Sequence, residues 1–175
     1  MTSRYTNGRA PIITGFRIVI VLTLAAIVAL VVAASYQILF RLEPCILCHY
    51  QRIPYVAIVV LGLLSLFPAV DGPSKRLSVA LMAGFLMINS GVSFFHVGVE
   101  RHLWEGTAQC GTSPQTGITI DEVRAAVLQP SNTACDEPVI TVLGFSMAEY
   151  NLAACVFLTG IAMYAIAKRR WWLEP

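Results

Sequence analysis

Charge is scarce in this chain. Lysine and arginine number 12 and aspartate and glutamate 10 among 175 residues, 13% in all, where a soluble domain carries about a quarter. The shortage comes from long runs with no charge at all. That excludes an ordinary water-soluble domain and predicts an integral membrane protein of one compact domain, residues 1–175. A net charge of +2 is too small to suggest a nucleic-acid partner. Histidine is scarcer still, at three, and the chain has neither a His-x-x-x-His nor a second closely spaced cysteine pair. A zinc site built on Cys-x-x-Cys usually adds one of those.

What the chain does have is a Cys-x-x-Cys set between two apolar runs, in Glu43-Pro44-Cys45-Ile46-Leu47-Cys48-His49-Tyr50-Gln51-Arg52. If this decapeptide starts a helix, Cys45 and Cys48 share one face and Arg52 lies one turn beyond Cys48. Pro44 suits a first helical turn, where its missing N–H costs nothing. Unpaired amides, the helix dipole and a fixed cation together lower a thiol's pKa, the conditions of a redox centre. A structural disulfide or half a zinc site are the plainer readings of the same four residues.

Four spans are expected. Ile18 to Phe40 is 23 residues without a charge, enough to cross about 30 Å of hydrocarbon. Ala33-Ala34-Ser35 resembles a signal cleavage site, but the apolar run exceeds the roughly 7–15 residues of a signal core, so the span is read as uncleaved. The second span is Ile53 to Val70, with Pro54 kinking or starting it. After a tight turn at Asp71-Gly72-Pro73-Ser74-Lys75-Arg76 comes the third, Leu77 to Val99. There Gly84, Gly91 and Gly98 form a stripe suited to close helix approach. Asn89 is read as an interhelical hydrogen bonder and His96 as a functional candidate. Ser146-Met147-Ala148-Glu149 fits a capping box, with Glu149 as the cap, so the fourth span runs from Met147 to Ala167. Lys168-Arg169-Arg170-Trp171-Trp172 then supplies interface anchors.

The outward loops are 41–52 and 100–146. Inside the second, Ile120, Val123 and Val127 follow a helical period that predicts a short amphipathic helix on the membrane surface. The fold class is thus all-α: a four-transmembrane-helix bundle with one interfacial helix. Eight of the twelve basic residues fall on the side of the termini and the 71–76 turn, which makes that side cytoplasmic. Cys45, Cys48, Cys110 and Cys135 then face outward, where disulfides persist. Cys155 lies mid-span and reads as packing.

Four outward cysteines, a Cys-x-x-Cys loop and a distant pair on four spans, resemble the DsbB family of disulfide-generating membrane proteins. The resemblance rests on Pro44-Cys45-Ile46-Leu47-Cys48 with Arg52, and on His96 at the outer end of span three. It includes Cys135 followed by Leu143-Gly144-Phe145-Ser146-Met147, and covers nearly the whole chain. Pro54 is a departure, since not all members carry a proline there. The resemblance implies a bacterial inner-membrane enzyme that takes electrons from a soluble periplasmic thioredoxin-like oxidase of the DsbA type. It passes them to a membrane quinone, ubiquinone or menaquinone. By that resemblance Cys110 receives the partner's attack and Cys135 is its disulfide partner. Cys45 and Cys48 then re-oxidise that pair by exchange between the loops. Cys48 faces the quinone, Arg52 stabilises the thiolate and polarises a quinone oxygen, and His96 is a second quinone contact. A hydrogen-bonded interfacial histidine is the plainer reading of His96.

Two other readings remain at this point. Vitamin K epoxide reductases also combine a bundle with a Cys-x-x-Cys, but theirs falls late in the chain, whereas this one follows the first span. The other is a non-enzymatic bundle tied by zinc or plain disulfides, which stoichiometric zinc in the purified protein would mark.

Overall fold

The computed structural model describes residues 9–39, 41, 44–107, 110, 134–138 and 140–172; the interfacial helix expected around Ile120, Val123 and Val127 lies outside them. Four long helices carry most of the chain: α1 (Arg9–Leu39), α2 (Ile46–Ser65), α3 (Gly72–Glu100) and α4 (Met147–Ala167). Each has the length and apolarity to cross a membrane. Even α2, the shortest at 20 residues, reaches about 30 Å at 1.5 Å per residue. Large apolar side chains such as Leu24, Val56, Leu63, Met87 and Phe157 stand on the outside of the bundle. Helices apolar all round belong in lipid, where such faces need no cover. The chain is a four-helix, multi-pass membrane protein.

α3 packs against both α2 and α4, and α1 lies chiefly on α2. The inward side is a stripe of fully buried Val19, Leu22, Ile58, Val79, Met82 and Leu86, closed by Cys155, Ala162 and Ala165 of α4. The expected stripe of Gly84, Gly91 and Gly98 does not receive a neighbouring helix: an added Cβ would meet nothing within 4 Å at the first two, and at Gly98 it would strike the Trp104 ring just past the end of α3. Gly84 and Gly91 face outward. The close approach is instead at Gly62 of α2, where a Cβ would strike the Thr23 side chain of α1. Thr23 returns its hydroxyl proton to the Val19 carbonyl at 2.7 Å, so it brings no unpaired donor to the contact.

The hydrogen bond expected from Asn89 is also not found among the described residues. Asn89 is fully buried, its amide meets no partner at hydrogen-bond distance among the described residues, and the Cys155 thiol lies beside it. The polar tie between helices is made by Asn151 of α4. Its Nδ2 donates to Ser93 Oγ of α3 at 2.7 Å, and its Oδ1 accepts from Tyr55 of α2 at 2.6 Å. Cys155 sits in this core as the sequence predicts, 3.2 Å from the Tyr55 hydroxyl.

Helix ends differ from the hydropathy bounds because caps, not apolarity, decide them. The Asp71 carboxylate accepts the Ser74 N–H at 2.9 Å and starts α3 at Gly72, inside the segment expected as a turn. α2 ends at Ser65 rather than Val70. At α4 both halves of the expected capping box form: Ser146 Oγ accepts the Glu149 N–H, and Glu149 Oε2 accepts the Ser146 N–H at 2.8 Å. Trp172, expected at the headgroups, is buried beneath the bundle with its indole N–H on the Ala165 carbonyl at 2.9 Å. Among the described residues one small element is a hairpin, not a helix. Strands β1 (Thr141–Val142) and β2 (Phe145–Ser146) form an antiparallel hairpin that delivers the chain to the α4 cap. Its two turn residues, Leu143 and Gly144, both have positive φ, as a tight turn between right-twisted strands requires.

Candidate active site

The segment expected as a cysteine loop is largely helix. α2 begins at Ile46 rather than Ile53, and Cys45 itself is the N-cap. Pro44 therefore precedes the cap instead of occupying the first turn. The Cys45 sulfur accepts the Cys48 N–H at 3.3 Å, and the two sulfurs are 2.9 Å apart with Cys45 as donor. The helix runs on through Pro54, so Cys48 and Arg52 do lie one turn apart on one helix.

The second loop brings its cysteines to the same place. The Cys135 N–H donates to the Cys110 carbonyl at 2.8 Å, and the Cys135 sulfur accepts the backbone N–H of Leu47 in the first turn of α2. Thr107 Oγ1 lies 3.3 Å from the Cys110 sulfur, as donor. Cys45, Leu47, Val99, Cys110 and Cys135 form one buried cluster, with Cys48 packed against it. An exposed first helical turn would leave its amides to water; here sulfurs take two of them. All five cysteines carry free thiols, so this is the reduced arrangement.

Thiol acidity does not follow the simple helix-start expectation at every position. Cys45 is pushed up to about 12, first because its S–H is donated to Cys48 and then by burial, with His96 pulling the other way. Cys135 is pushed well above the ordinary thiol range by burial and by its hydrogen bond with Cys110. Both cysteines are thus protonated at neutral pH in this state, and the proton on Cys45 points at Cys48.

His96 reaches the site from α3. It is buried, with Nε2 3.6 Å from Cys45 Sγ. Nδ1 lies 3.1 Å from Gln51 Nε2, and Nε2 lies 3.7 Å from Glu100 Oε1 one turn on. Glu100 also accepts the Ser146 hydroxyl proton, tying the end of α3 to the α4 cap. Arg52, one turn beyond Cys48, donates to Gln37 Oε1 of α1 at 2.8 Å.

A cavity of about 450 Å³ joins these groups, within the range of small-molecule sites. Ala25, Val28, Ala29, Val32, Ala154 and Leu158 make its apolar length between α1 and α4. Cys45, Cys48, Gln51, Arg52, His96 and Glu100 make its polar end, with Ala134, Glu137 and Ile140 of the second loop beside them. The predicted residues Cys45, Cys48, Arg52 and His96 thus line one cavity, while Cys110 and Cys135 stand behind the first pair. Sequence reasoning missed Gln37, Gln51 and Glu100. The spacing of His96 and Glu100, four apart at the end of an apolar run, was the available signal for the last.

Comparison with known proteins gives a consistent result. A family model described as "Disulfide bond formation protein DsbB" matches residues 16–165. The chain is 30% identical over 136 residues to "Uncharacterized protein RP370" of Rickettsia prowazekii (strain Madrid E), covering 76% of this chain and 77% of that one. It is 29% identical over 162 residues to "Disulfide bond formation protein B" of Psychrobacter sp. (strain PRwf-1), covering 86% and 92%. A protein of the same description from Pasteurella multocida (strain Pm70) is 30% identical over 125 residues, covering 68% and 67%. No solved structure matches the chain.

Proposed function

Because this chain belongs to the DsbB family, we propose that it is a membrane thiol oxidase that re-oxidises a soluble DsbA-like dithiol protein and delivers the electrons to a membrane quinone. The observation that carries this reading is the gathering of Cys45, Cys48, Cys110 and Cys135 into one cluster, in which Cys45 and Cys48 also line a cavity. The termini lie in the cytoplasm and the cysteine pairs face the periplasm of an inner-membrane protein, following the distribution of basic residues.

In the oxidised protein one disulfide joins Cys110 to Cys135 and another joins Cys45 to Cys48. A thiolate of the reduced partner attacks Cys110, forming a mixed disulfide and releasing Cys135. The partner's second thiol attacks its own bridged sulfur, and Cys110 leaves as a thiol. The partner is now oxidised by two electrons. Cys135 next attacks Cys45, which opens the Cys45–Cys48 bond and frees Cys48. Cys110 attacks Cys135, restoring the loop disulfide and releasing Cys45. The result is a Cys45–Cys48 dithiol holding the two electrons and two protons. Burial of Cys45 beside Cys135 supports exchange at that pair of sulfurs.

The cavity fits a quinone: its apolar length suits a prenyl tail, and its polar end offers donors to a ring oxygen. Arg52 and His96 would hold the ring, and the bound quinone supplies the two-electron, two-proton acceptor. Arg52, fixed by Gln37, places a positive charge in a low-dielectric wall where a thiolate at Cys48 is stabilised. His96 holds or releases a proton at Cys45, with Gln51 orienting its ring.

The test is turnover of purified protein in lipid nanodiscs with a short-chain quinone and a reduced thioredoxin-like oxidase. Quinol formed in step with partner disulfide is the expected result. Partner oxidation without quinol would remove the quinone from the reading.

A further inference from the structure

We infer that the reduced Cys45–Cys48 pair and His96 form a binding site for a thiophilic d10 cation, Zn²⁺ or Cd²⁺, and that occupancy keeps the pair out of the disulfide state. The two sulfurs and a ring nitrogen of His96 all lie within 4.8 Å of one another. A tetrahedral ion with bonds of about 2.3 Å to sulfur and about 2.0–2.1 Å to nitrogen has ligand-to-ligand edges of about 3.3–3.8 Å. The Cys45–His96 separation of 3.6 Å already falls there. The sulfurs, at 2.9 Å, need to part by about 0.9 Å to reach the upper edge, a small side-chain rotation.

The ligands come from rigid elements: the cap and first turn of α2, and the buried end of α3. Gln51 faces the other ring nitrogen at 3.1 Å; with its amide turned so that Oε1 accepts from Nδ1–H, it becomes the outer partner that zinc-bound histidines generally have. The fourth position opens towards the cavity, where Glu100, 3.7 Å from Nε2, and water compete for it.

Charge favours the soft cation. Two adjacent thiolates beside a buried histidine would be costly without a counter-charge. A divalent cation displaces both protons: M²⁺ plus two thiols gives M(SR)₂ and two H⁺, with no oxidant or reductant needed. With neutral His96 the complex carries no net charge, which suits a low-dielectric wall. Thiolate donors select zinc and cadmium over magnesium and calcium. The site is invisible in the sequence because the third ligand is 48 positions after Cys48 and belongs to no local zinc motif.

Metal binding stands on the reduced geometry alone; its effect on turnover rests on the proposed thiol oxidase function. Sulfur lone pairs bonded to the cation are unavailable for S–S formation, so an occupied pair cannot be re-oxidised.

The experiment uses the full chain in detergent, with Cys110→Ser and Cys135→Ser removing the other pair, reduced by a phosphine and titrated with Cd²⁺. One equivalent should bind with thiolate-to-cadmium absorbance, release two protons per ion and protect Cys45 and Cys48 from alkylation. His96→Ala should weaken binding about tenfold or more, and Cys48→Ala should abolish the absorbance. His96→Gln serves as a second variant if the alanine protein is not monodisperse. Unchanged affinity in both His96 variants, or unprotected cysteines at saturation, would overturn the site. So would Zn²⁺ that stays bound after the pair is oxidised. The two readings fail separately. Cadmium bound as expected in a protein whose metal-free form never produces quinol would sink the oxidase reading alone. Quinol formation with no metal binding would sink this inference alone.

Discussion

His96 Nε2 on α3 lies 3.6 Å from the sulfur of Cys45, the N-cap of α2. The contact sets an imidazole against a thiol that must lose its proton before a Cys45–Cys48 disulfide can form. It also places His96 on the protein's own sulfur, not only on the cavity where a quinone contact was expected.

Alkylation of Cys45 in the reduced, folded protein should be slow through pH 9 and rise towards pH 12, because the folded thiol is held at about 12 against an ordinary 9.0. In the unfolded chain the rise should centre near 9. A folded value raised above the unfolded one adds stability below pH 9 that is lost as pH climbs to 12. Cys135 shifts in the same direction. Reduced protein should therefore lose more stability over that window than oxidised protein, whose sulfurs do not titrate. Mass-spectrometric labelling and thermal unfolding across pH would check both; equal losses in the two redox forms would contradict the assignment.

Cys110→Ser should abolish covalent trapping by a partner lacking its resolving cysteine, whereas Cys45→Ser should not. On the proposed function, the long loop is the one that meets the soluble partner. Non-reducing gels report the mixed disulfide, and trapping that survives without Cys110 would reverse the roles of the loops.

Arg52→Gln should weaken apparent quinone affinity or slow quinol formation by about tenfold to a hundredfold, the worth of one hydrogen bond to a charged group. Single-turnover exchange with the protein partner should be unchanged. If quinone dependence stays the same while stability falls, Arg52 serves only to join α2 to α1 through Gln37.

Asn151→Ala should destabilise the bundle by about 1–3 kcal/mol, since it strands both the Tyr55 and the Ser93 hydroxyls. Cys155→Ala should cost about 1 kcal/mol or less and leave turnover intact, because Tyr55 keeps its bond to Asn151. Unfolding in mixed micelles would rank the two, and a reversed order would refute Asn151 as the tie.

Much of the fold follows from the sequence by itself. Unbroken apolar runs of about 20 residues have few alternatives to a spanning helix, since lipid offers backbone amides no partner. The Ser146–Glu149 cap is equally local, its two bonds closing within one turn. The residue types of a thiol-exchange site were legible too, in the spacing of Cys45 and Cys48. The tertiary structure decided what those residues touch. Apolarity sets where a helix fits in lipid but not where it starts, so only the Cys45 cap shows α2 beginning at Ile46. Glycine spacing could not show that Gly62, not Gly84 or Gly91, receives a neighbouring helix, because a stripe does not reveal its partner. His96 beside Cys45 and Asn151 between Tyr55 and Ser93 join different helices. Such pairs carry no periodic signal along the chain, and they exist only once packing has set the rotation of each helix about its own axis.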